Sequence, residues 1–115
     1  MACLFCRIAR KETDTEIIAE VSEAVAFRDI QPKAPIHILI VPRRHLSSLA
    51  DTTARDRELL GTLLDFSREV AASLGLQDRG YKVAINVGRG GGQVIEHLHL
   101  HLLGGWQQGP GTLDV

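Results

Sequence analysis

The sequence predicts an α+β fold with a mostly antiparallel sheet. Short β-prone runs come early in the chain, one long helical pattern follows them, and two further β-prone runs flank a glycine-rich turn near the end. The 115 residues, of which 44% are hydrophobic, suffice for one compact domain with a buried core. We therefore expect residues 1–115 to form a single domain.

A short helix and three strands are expected in the first part of the chain. The strands are short runs in which Val, Ile and Phe are frequent, as is typical of β-structure. Pro32 and Pro35 mark a loop before the third strand, and Pro42 ends that strand. The expected bounds are Cys3–Arg10 for the helix and Ile17–Glu20, Ala24–Arg28 and Ile36–Val41 for the strands.

A long helix and a hairpin are expected in the second part. Thr53 and Asp56 have the spacing of a capping box, which marks a helix start. Apolar residues then recur at helical spacing between Leu59 and Leu74, and Gly75 is suited to end the helix. The other expected segments are strands Tyr81–Val87 and Val94–Leu103, the glycine-rich turn 88–93 between them, and an irregular tail beyond Gly104.

Charge and composition exclude several classes of function. The 13 basic and 14 acidic residues nearly balance, and no basic stripe is interleaved with aromatic residues, so we expect no nucleic-acid partner. No apolar run approaches the roughly 20 residues that span a membrane. The first residues lack the pattern of a signal peptide, so a cytoplasmic location is expected. In a reducing compartment, two cysteines are more often metal ligands or redox thiols than a disulfide.

The most informative motif is the alternation of histidine and leucine in residues 97–101. In a β-strand, alternate residues share a face, so we expect His97, His99 and His101 on one face with about 7 Å between neighbours. Imidazoles titrate near neutral pH and can act as nucleophiles, acids, bases or metal ligands. An ordinary solvent-facing strand is the alternative, but three regular repeats favour chemistry or metal binding.

The glycine-rich segment 89–93 lies directly before the histidines. Its backbone N–H groups could cradle a phosphate, and Asn86 could add an amide donor. A flexible hairpin turn is the alternative for the loop, and a turn residue is the alternative for Asn86. The position of the loop beside the histidines favours the phosphate site.

Isolated cysteine, histidine and aspartate residues are further candidates. Cys3 and Cys6 have the spacing of half a tetrahedral zinc site, whose other ligands would be histidines. A redox pair and an inert buried pair are the alternatives. His37 lies at the beginning of the third expected strand and His45 just beyond its end, and either could be an ordinary surface histidine. Asp29 is either a turn-capping residue or an acceptor for a ribose hydroxyl.

Taken together, these motifs resemble the histidine triad (HIT) family, and most of all its HINT branch of purine nucleoside phosphoramidate hydrolases. The family signature His-φ-His-φ-His-φ-φ, with φ apolar, corresponds to residues 97–103, and segments 26–37, 40–45, 91–93 and 103–105 also fit. The resemblance extends from about residue 3 to 106. It implies a single HIT domain with a sheet of about five antiparallel strands and two helices. It also implies a homodimer that joins two sheets into one.

The resemblance implies a role for each matching residue. His99 corresponds to the nucleophile that takes the nucleotidyl group, with His101 and His37 as supporting histidines around the phosphate. Asp29 corresponds to the ribose acceptor. The phosphate contacts correspond to Asn86, Gly92, Gln93 and Val94, and the apolar walls of the base pocket to Phe5, Ile8, Phe27, Ile30 and Leu39.

The N-terminal cysteine pair resembles that of a bacterial subset of the family that binds zinc. The ligands would be Cys3, Cys6, His45 and His97, which complete a tetrahedral site. Such a closed site would be structural, would attach the N-terminal helix to the sheet, and would leave His99 free for chemistry.

Two residues depart from the family pattern. Val94 stands where Ser or Thr is frequent near the leaving group, and Glu96 stands where an aromatic or apolar residue is common. We expect Val94 to be buried, and leaving-group protonation to be slower or to be carried out by another group, since valine donates no hydrogen bond. The implied function is hydrolysis of purine nucleoside phosphoramidates, and of acyl-adenylates, through a nucleotidyl-histidine. A dinucleoside polyphosphate hydrolase and a non-catalytic nucleotide-binding or adaptor protein are the alternatives.

Overall fold

A computed structural model describes residues 3–109 of the chain. Its elements are α1 (Leu4–Ala9), β1 (Ile17–Glu20), β2 (Ala24–Arg28), β3 (Ile36–Pro42), α2 (Arg57–Ser73), β4 (Tyr81–Ala84) and β5 (Leu100–Gly104). The five strands form one antiparallel sheet in the order β1-β2-β3-β5-β4. The predicted α+β class, the five strands and the two helices are confirmed. The helices in this part of the chain are too short or too polar to cross a membrane.

The two faces of the sheet carry two separate apolar cores. In β3, Ile38 and Ile40 pack in the core beneath α2, whereas Leu39 belongs to the core that contains α1. His37 and Leu39 are alternate residues of β3, so their side chains are on the same face of the sheet. His101 is paired with Leu39 across the sheet, so both histidines are on the face covered by α1. The candidate site therefore lies on the α1 side, and α2 supports the sheet from behind.

The predicted start and stop of α2 are confirmed. Thr53 and Asp56 form a capping box around a short 3₁₀ turn that leads into the helix. The backbone N–H of Thr53 and the guanidinium of Arg44 hold the pKa of the buried Asp56 carboxyl below its usual value. Gly75 follows the helix with a φ of +75°, a conformation that glycine adopts without steric cost.

The predicted strand Val94–Leu103 is wrong in its first half, because β5 begins at Leu100. β3 pairs with β5 only as far as Ile40, opposite Leu100. Farther along β3, Pro42 has no N–H for a sheet hydrogen bond, and its carbonyl accepts a bond from the His97 ring at 2.9 Å. Of the three histidines, only His101 lies on a strand.

The side chains of residues 97–100 still alternate between two sides of the sheet, although the first three of these residues are not part of a strand. Leu98 and Leu100 belong to the core beneath α2, while the rings of His97 and His99 contact Phe5 of α1. The ring centroids of His99 and His101 are 5.0 Å apart at an interplanar angle of 67°, which is closer than the expected spacing of about 7 Å along a strand.

One other predicted segment, the strand Tyr81–Val87, differs from the structure. β4 ends at Ala84 rather than at Val87, because its pairing with β5 stops where Ala84 meets His101. The described part of the tail, residues 105–109, contains no helix or strand, as predicted. The rest of the tail, residues 110–115, lies outside the described residues.

Candidate functional site

His99 is buried and held in a single tautomer. The residue is only 8% exposed, and its Nδ1 lies 2.7 Å from the carbonyl oxygen of His97. A carbonyl oxygen only accepts hydrogen bonds, so Nδ1 must carry the proton. A neutral imidazole has one N–H and one lone pair, and the lone pair of His99 is therefore on Nε2. That is the arrangement a nucleophilic imidazole requires.

His37 and His101 form a hydrogen-bonded pair whose protons are also assigned by the backbone. The N–H of Lys33 donates to Nδ1 of His37 at 3.0 Å, so the proton of neutral His37 is on Nε2. That Nε2 then donates to Nδ1 of His101 at 2.9 Å. The remaining proton of His101 is consequently on its Nε2, where it is a donor suited to an anionic oxygen.

Asp29 lies at the edge of this pair. One carboxylate oxygen accepts the backbone N–H of Gln31 at 2.8 Å, as in the turn-capping alternative. The other oxygen is 3.5 Å from Nε2 of His37. The carboxylate is therefore oriented by its own loop and adds negative charge beside the histidine pair.

Burial keeps both histidines of the pair neutral. It lowers the pKa of His37, and the nearby Asp29 carboxylate opposes this only in part. Burial, with smaller contributions from His99 and His37, lowers the pKa of His101 to about 4. At neutral pH, His101 is therefore an N–H donor and not a cation.

These lowered pKa values predict a loss of stability in acid. An unfolded histidine titrates at about 6.5, so between that pH and about 4 the unfolded chain binds more protons than the folded one. The free energy of unfolding should therefore decrease as pH falls through this window. Urea unfolding at pH 7 and pH 5, with a chelator in both buffers, measures this. The His37→Asn variant is the control and should lose less, and equal wild-type stability at both pH values would contradict the prediction.

A second cluster joins Cys3, Cys6, His45 and His97, with all four ligand atoms within 4.8 Å of one another. The four sulfur–nitrogen distances are between 3.2 and 3.6 Å, and the two Nδ1 atoms are 3.1 Å apart. Tetrahedral zinc with ordinary Zn–S and Zn–N bonds places neighbouring ligand atoms about 3.3–3.8 Å apart. The cluster therefore has nearly the dimensions of a zinc site.

Protonation at this cluster also fits a metal. Because Nε2 of His97 donates to the Pro42 carbonyl, its lone pair is on Nδ1, which points to the cysteines. Burial raises the pKa of the Cys6 thiol, and a bound cation would reverse this effect and stabilise the thiolate. The four residues present can thus hold a metal ion.

A second group of potential metal ligands, Asp29, His37 and His101, does not fit as well. The atom of His37 that faces this group is Nε2, and the Lys33 N–H on Nδ1 requires the proton to be there. A metal would have to displace that proton and the Lys33 hydrogen bond. We therefore interpret this group as a hydrogen-bonded set and not as a metal site.

The glycine-rich loop is shaped by two polar side chains. Gln93 accepts the N–H of Gly88 at 2.9 Å and donates to the carbonyls of Ser47 and Ile95 at 2.6 and 2.9 Å. Asn86 donates to the carbonyl of Gly91 at 2.8 Å. These amides fix the loop from within, and the N–H groups of Gly91, Gly92 and Gln93 donate to carbonyls of the same loop. Within residues 3–109 the N–H of Val94 makes no such bond, so it is a donor that the phosphate interpretation leaves for an anion.

Gly92 is, with Gly88 at a φ of +68°, one of the two positions where the turn 88–93 depends on glycine. Its φ of +86° is one that other residues rarely adopt, and it follows the 3₁₀ turn Arg89–Gly91. A Cβ there would make an ordinary van der Waals contact with the Asn86 side-chain nitrogen at 3.5 Å, so the backbone conformation, and not lack of space, requires glycine. The sequence of the loop is therefore matched to its backbone conformation.

The residues expected in the apolar walls divide into two groups. Phe5, Ile8, Phe27 and Leu39 are buried together in the core that contains α1, whereas Ile30 is 91% exposed. The expected burial of Val94 is wrong, because its side chain is 90% exposed on the glycine-rich loop. Val94 and Glu96 border a cavity of about 270 Å³ whose other lining residues are Ser47, Ser48, Asp51, Gly88, Arg89 and Gln93.

Sequence reasoning missed the main-chain groups that assign the histidine protons. The N–H of Lys33 and the carbonyls of Pro42 and His97 set the tautomers of His37, His97 and His99, respectively. Every residue except proline has both groups, so residue type gives no signal for them. These contacts can be identified only in the folded structure, where main-chain groups lie beside the histidine rings.

The fold and the site define a small α+β protein with tautomer-fixed histidines beside a glycine-rich loop and an apolar core. Residues 10–108 match the HIT domain family, and the chain belongs to this family. It is 44% identical to protein HitA of Neisseria gonorrhoeae over 102 residues, which are 89% of this chain and 94% of HitA. It is 37% identical to the purine nucleoside phosphoramidase of Escherichia coli over 107 residues, or 93% and 90% of the two chains.

Solved structures give the same result. A HIT family hydrolase from Legionella pneumophila superposes with a TM-score of 0.90 at 43% identity, and the match covers 96% of this chain and 98% of the other. The relatives of this chain within the family therefore include hydrolases.

Proposed function

We propose that the protein hydrolyses purine nucleoside 5′-phosphoramidates, and acyl-adenylates, at the α-phosphorus. The observation that carries the proposal is the tautomer of His99, which leaves an unprotonated Nε2 beside the neutral His101 donor. The 37% identity to a purine nucleoside phosphoramidase supports the choice of substrate.

In the first step, Nε2 of His99 attacks the α-phosphorus. A bond forms between phosphorus and Nε2 of His99, and the bond between phosphorus and the leaving group breaks. An amine departs with a proton taken from solvent, whereas the carboxylate of an acyl-adenylate departs without one. The backbone N–H of Val94 beside the glycine-rich loop and the Nε2–H of His101 stabilise the charge on the phosphoryl oxygens. Donors fixed in advance lower the barrier because they need no reorganisation during the reaction.

In the second step, water attacks the phosphorus of the nucleotidyl-histidine. The bond to His99 breaks, the imidazole regains its lone pair on Nε2, the attacking water loses a proton to solvent, and the nucleoside monophosphate is released. The sum of both steps is phosphoramidate plus water giving nucleoside monophosphate plus amine. In this proposal Asp29 accepts the ribose hydroxyls, and the core that contains α1 provides the apolar wall for the base.

Turnover of tryptamine adenosine phosphoramidate tests the proposal. We expect release of AMP and tryptamine by the purified protein, with AMP as a competitive inhibitor. Faster turnover of diadenosine tetraphosphate would favour the dinucleoside polyphosphate alternative. Binding of AMP without turnover of either compound would identify a non-catalytic nucleotide-binding protein and overturn the proposal.

Val94 offers a test of leaving-group protonation. We expect Val94→Ser to raise the rate for alkyl-amine leaving groups more than for an acyl-adenylate, because proton donation helps most when the leaving group is most basic. The side chain is exposed, so the substitution should not carry the packing cost of a buried site. The ratio of kcat/KM for the two substrates is the measurement, and Val94→Ala is the matched control without a hydroxyl. An equal change in both substrates would show that Val94 does not limit protonation.

The proposal includes one structural zinc per chain, held by Cys3, Cys6, His45 and His97. With four protein ligands the ion has no open position for water, so it would supply folding energy and not catalysis. A cytoplasmic location fits this proposal, because a reducing compartment keeps both cysteines available as thiolates.

We also propose a homodimer in which β4, the edge strand beside β5, extends the sheet into a second copy. Tyr81 and Val83 of β4 are exposed, as is Leu64 of α2, although all three are apolar side chains. An unpaired apolar sheet edge favours association with another chain. The molecular mass in solution tests this part of the proposal.

A further inference from the structure

Phe5 links the metal-binding cluster to His99. It stands between Cys3 and Cys6 on α1 and is only 3% exposed. Its ring is perpendicular to that of His99, with an interplanar angle of 89° and centroids 5.2 Å apart. The same ring contacts His97 at 5.9 Å. One aromatic side chain therefore touches both the candidate nucleophile and a candidate metal ligand.

We propose that Phe5 is a positioning residue that holds the imidazole of His99 in the orientation required for attack. This inference rests on the proposed function and extends it, because the resemblance assigns Phe5 only to the wall of the base pocket.

The physical argument concerns rotation of the His99 ring. The χ2 angle of histidine has broad preferences, so one hydrogen bond from Nδ1 to the His97 carbonyl leaves the ring free to swing about that contact. Phe5 on one side and His101, at 5.0 Å, on another restrict the swing by packing. A perpendicular aromatic pair is also a favourable arrangement in its own right.

Both ends of α1 are attached to the sheet side of the molecule, so the position of Phe5 is well determined. At the start, the sulfur atoms of Cys3 and Cys6 lie against His45 and His97. At the end, the guanidinium of Arg43 donates to the carbonyl of Ala9 at 3.0 Å. A helix held at both ends can restrain the ring of another residue.

The three phenylalanines of the chain provide a matched experiment. Phe5→Leu, Phe27→Leu and Phe66→Leu each remove one buried ring, but Phe27 contacts Phe5, and Phe66 belongs to the core beneath α2. For each variant, the measurements are the single-turnover rate with saturating tryptamine adenosine phosphoramidate, the Kd for AMP, Tm and metal content. The ring ¹⁵N shifts of His99 give a readout that does not depend on turnover.

We expect Phe5→Leu to lower the single-turnover rate about tenfold, since small errors in orientation are costly, while the Kd for AMP changes less. Phe27→Leu should mainly raise the Kd, and Phe66→Leu should lower Tm without changing the rate per folded molecule. The two ring nitrogens of His99 should have well-separated ¹⁵N shifts in the wild type. In Phe5→Leu, the separation between these two shifts should become smaller.

An unchanged rate and unchanged ¹⁵N separation in Phe5→Leu would overturn the inference, as would an equal rate loss in Phe66→Leu. If the wild type shows no turnover, the proposed function fails. The ¹⁵N shifts then decide the role of Phe5 by themselves.

Discussion

Replacement of His99 by Asn should abolish turnover of a nucleoside phosphoramidate while the protein still folds and binds AMP. The expected loss in kcat is about 10³–10⁶-fold, as for removal of other covalent nucleophiles. Asn retains an N–H that can bond to the His97 carbonyl, so the local backbone contact is conserved. The measurements are the rate with tryptamine adenosine phosphoramidate and the Kd for AMP by calorimetry.

The matched control is His101→Asn, which alters the neighbouring ring but leaves the nucleophile in place. Under the proposed mechanism, this variant should retain a slow reaction and still form the nucleotidyl-histidine, which mass spectrometry detects after a rapid quench. The His99→Asn variant should form no such adduct. A folded His99→Asn protein with near wild-type turnover would show that another group attacks the phosphorus.

The family and fold could be predicted because they depend on local patterns. The alternation of His and Leu in residues 97–101 divides the side chains between two faces, and that division holds in the structure. The extent of the strand could not be predicted in the same way. The extent of the strand depends on Pro42 of β3, a residue distant in sequence. Pro42 has no N–H to donate, and the pairing of β3 with β5 extends only to Ile40 and Leu100.

Some of the residues that the sequence predicts for the candidate site lie together in the structure, but the positions of their protons could not be predicted. Cysteine spacing indicated half of a metal site, and the structure brings His45 and His97 to it from distant parts of the chain. The tautomers of His37 and His99 depend on main-chain atoms, for which residue type carries no information. The same limit applies to Val94, since exposure depends on how the glycine-rich loop projects from the sheet.

The joint replacement Cys3→Ser and Cys6→Ser should lower Tm by about 10–20 °C. A metal present at about 100 times its Kd contributes about 2.7 kcal/mol to the free energy of unfolding, and about 1 kcal/mol shifts the Tm of a small domain by 4–8 °C. Serine also preserves the helix start, because Cys3 caps α1 through a bond from the Cys6 N–H and serine is a strong N-cap residue. The rate per folded molecule should change less, since no reacting atom is removed.

Chelation of the wild type separates metal loss from the loss of two thiols. A strong chelator should lower the wild-type Tm by a similar amount and leave the Tm of the double variant unchanged. Elemental analysis should find about one zinc per wild-type chain, and occupancy should decrease with falling pH because protons compete for thiolate and imidazole ligands. Protein purified without chelator that contains no metal, or a double variant with wild-type Tm, would show that the cluster of Cys3, Cys6, His45 and His97 is held together by packing alone.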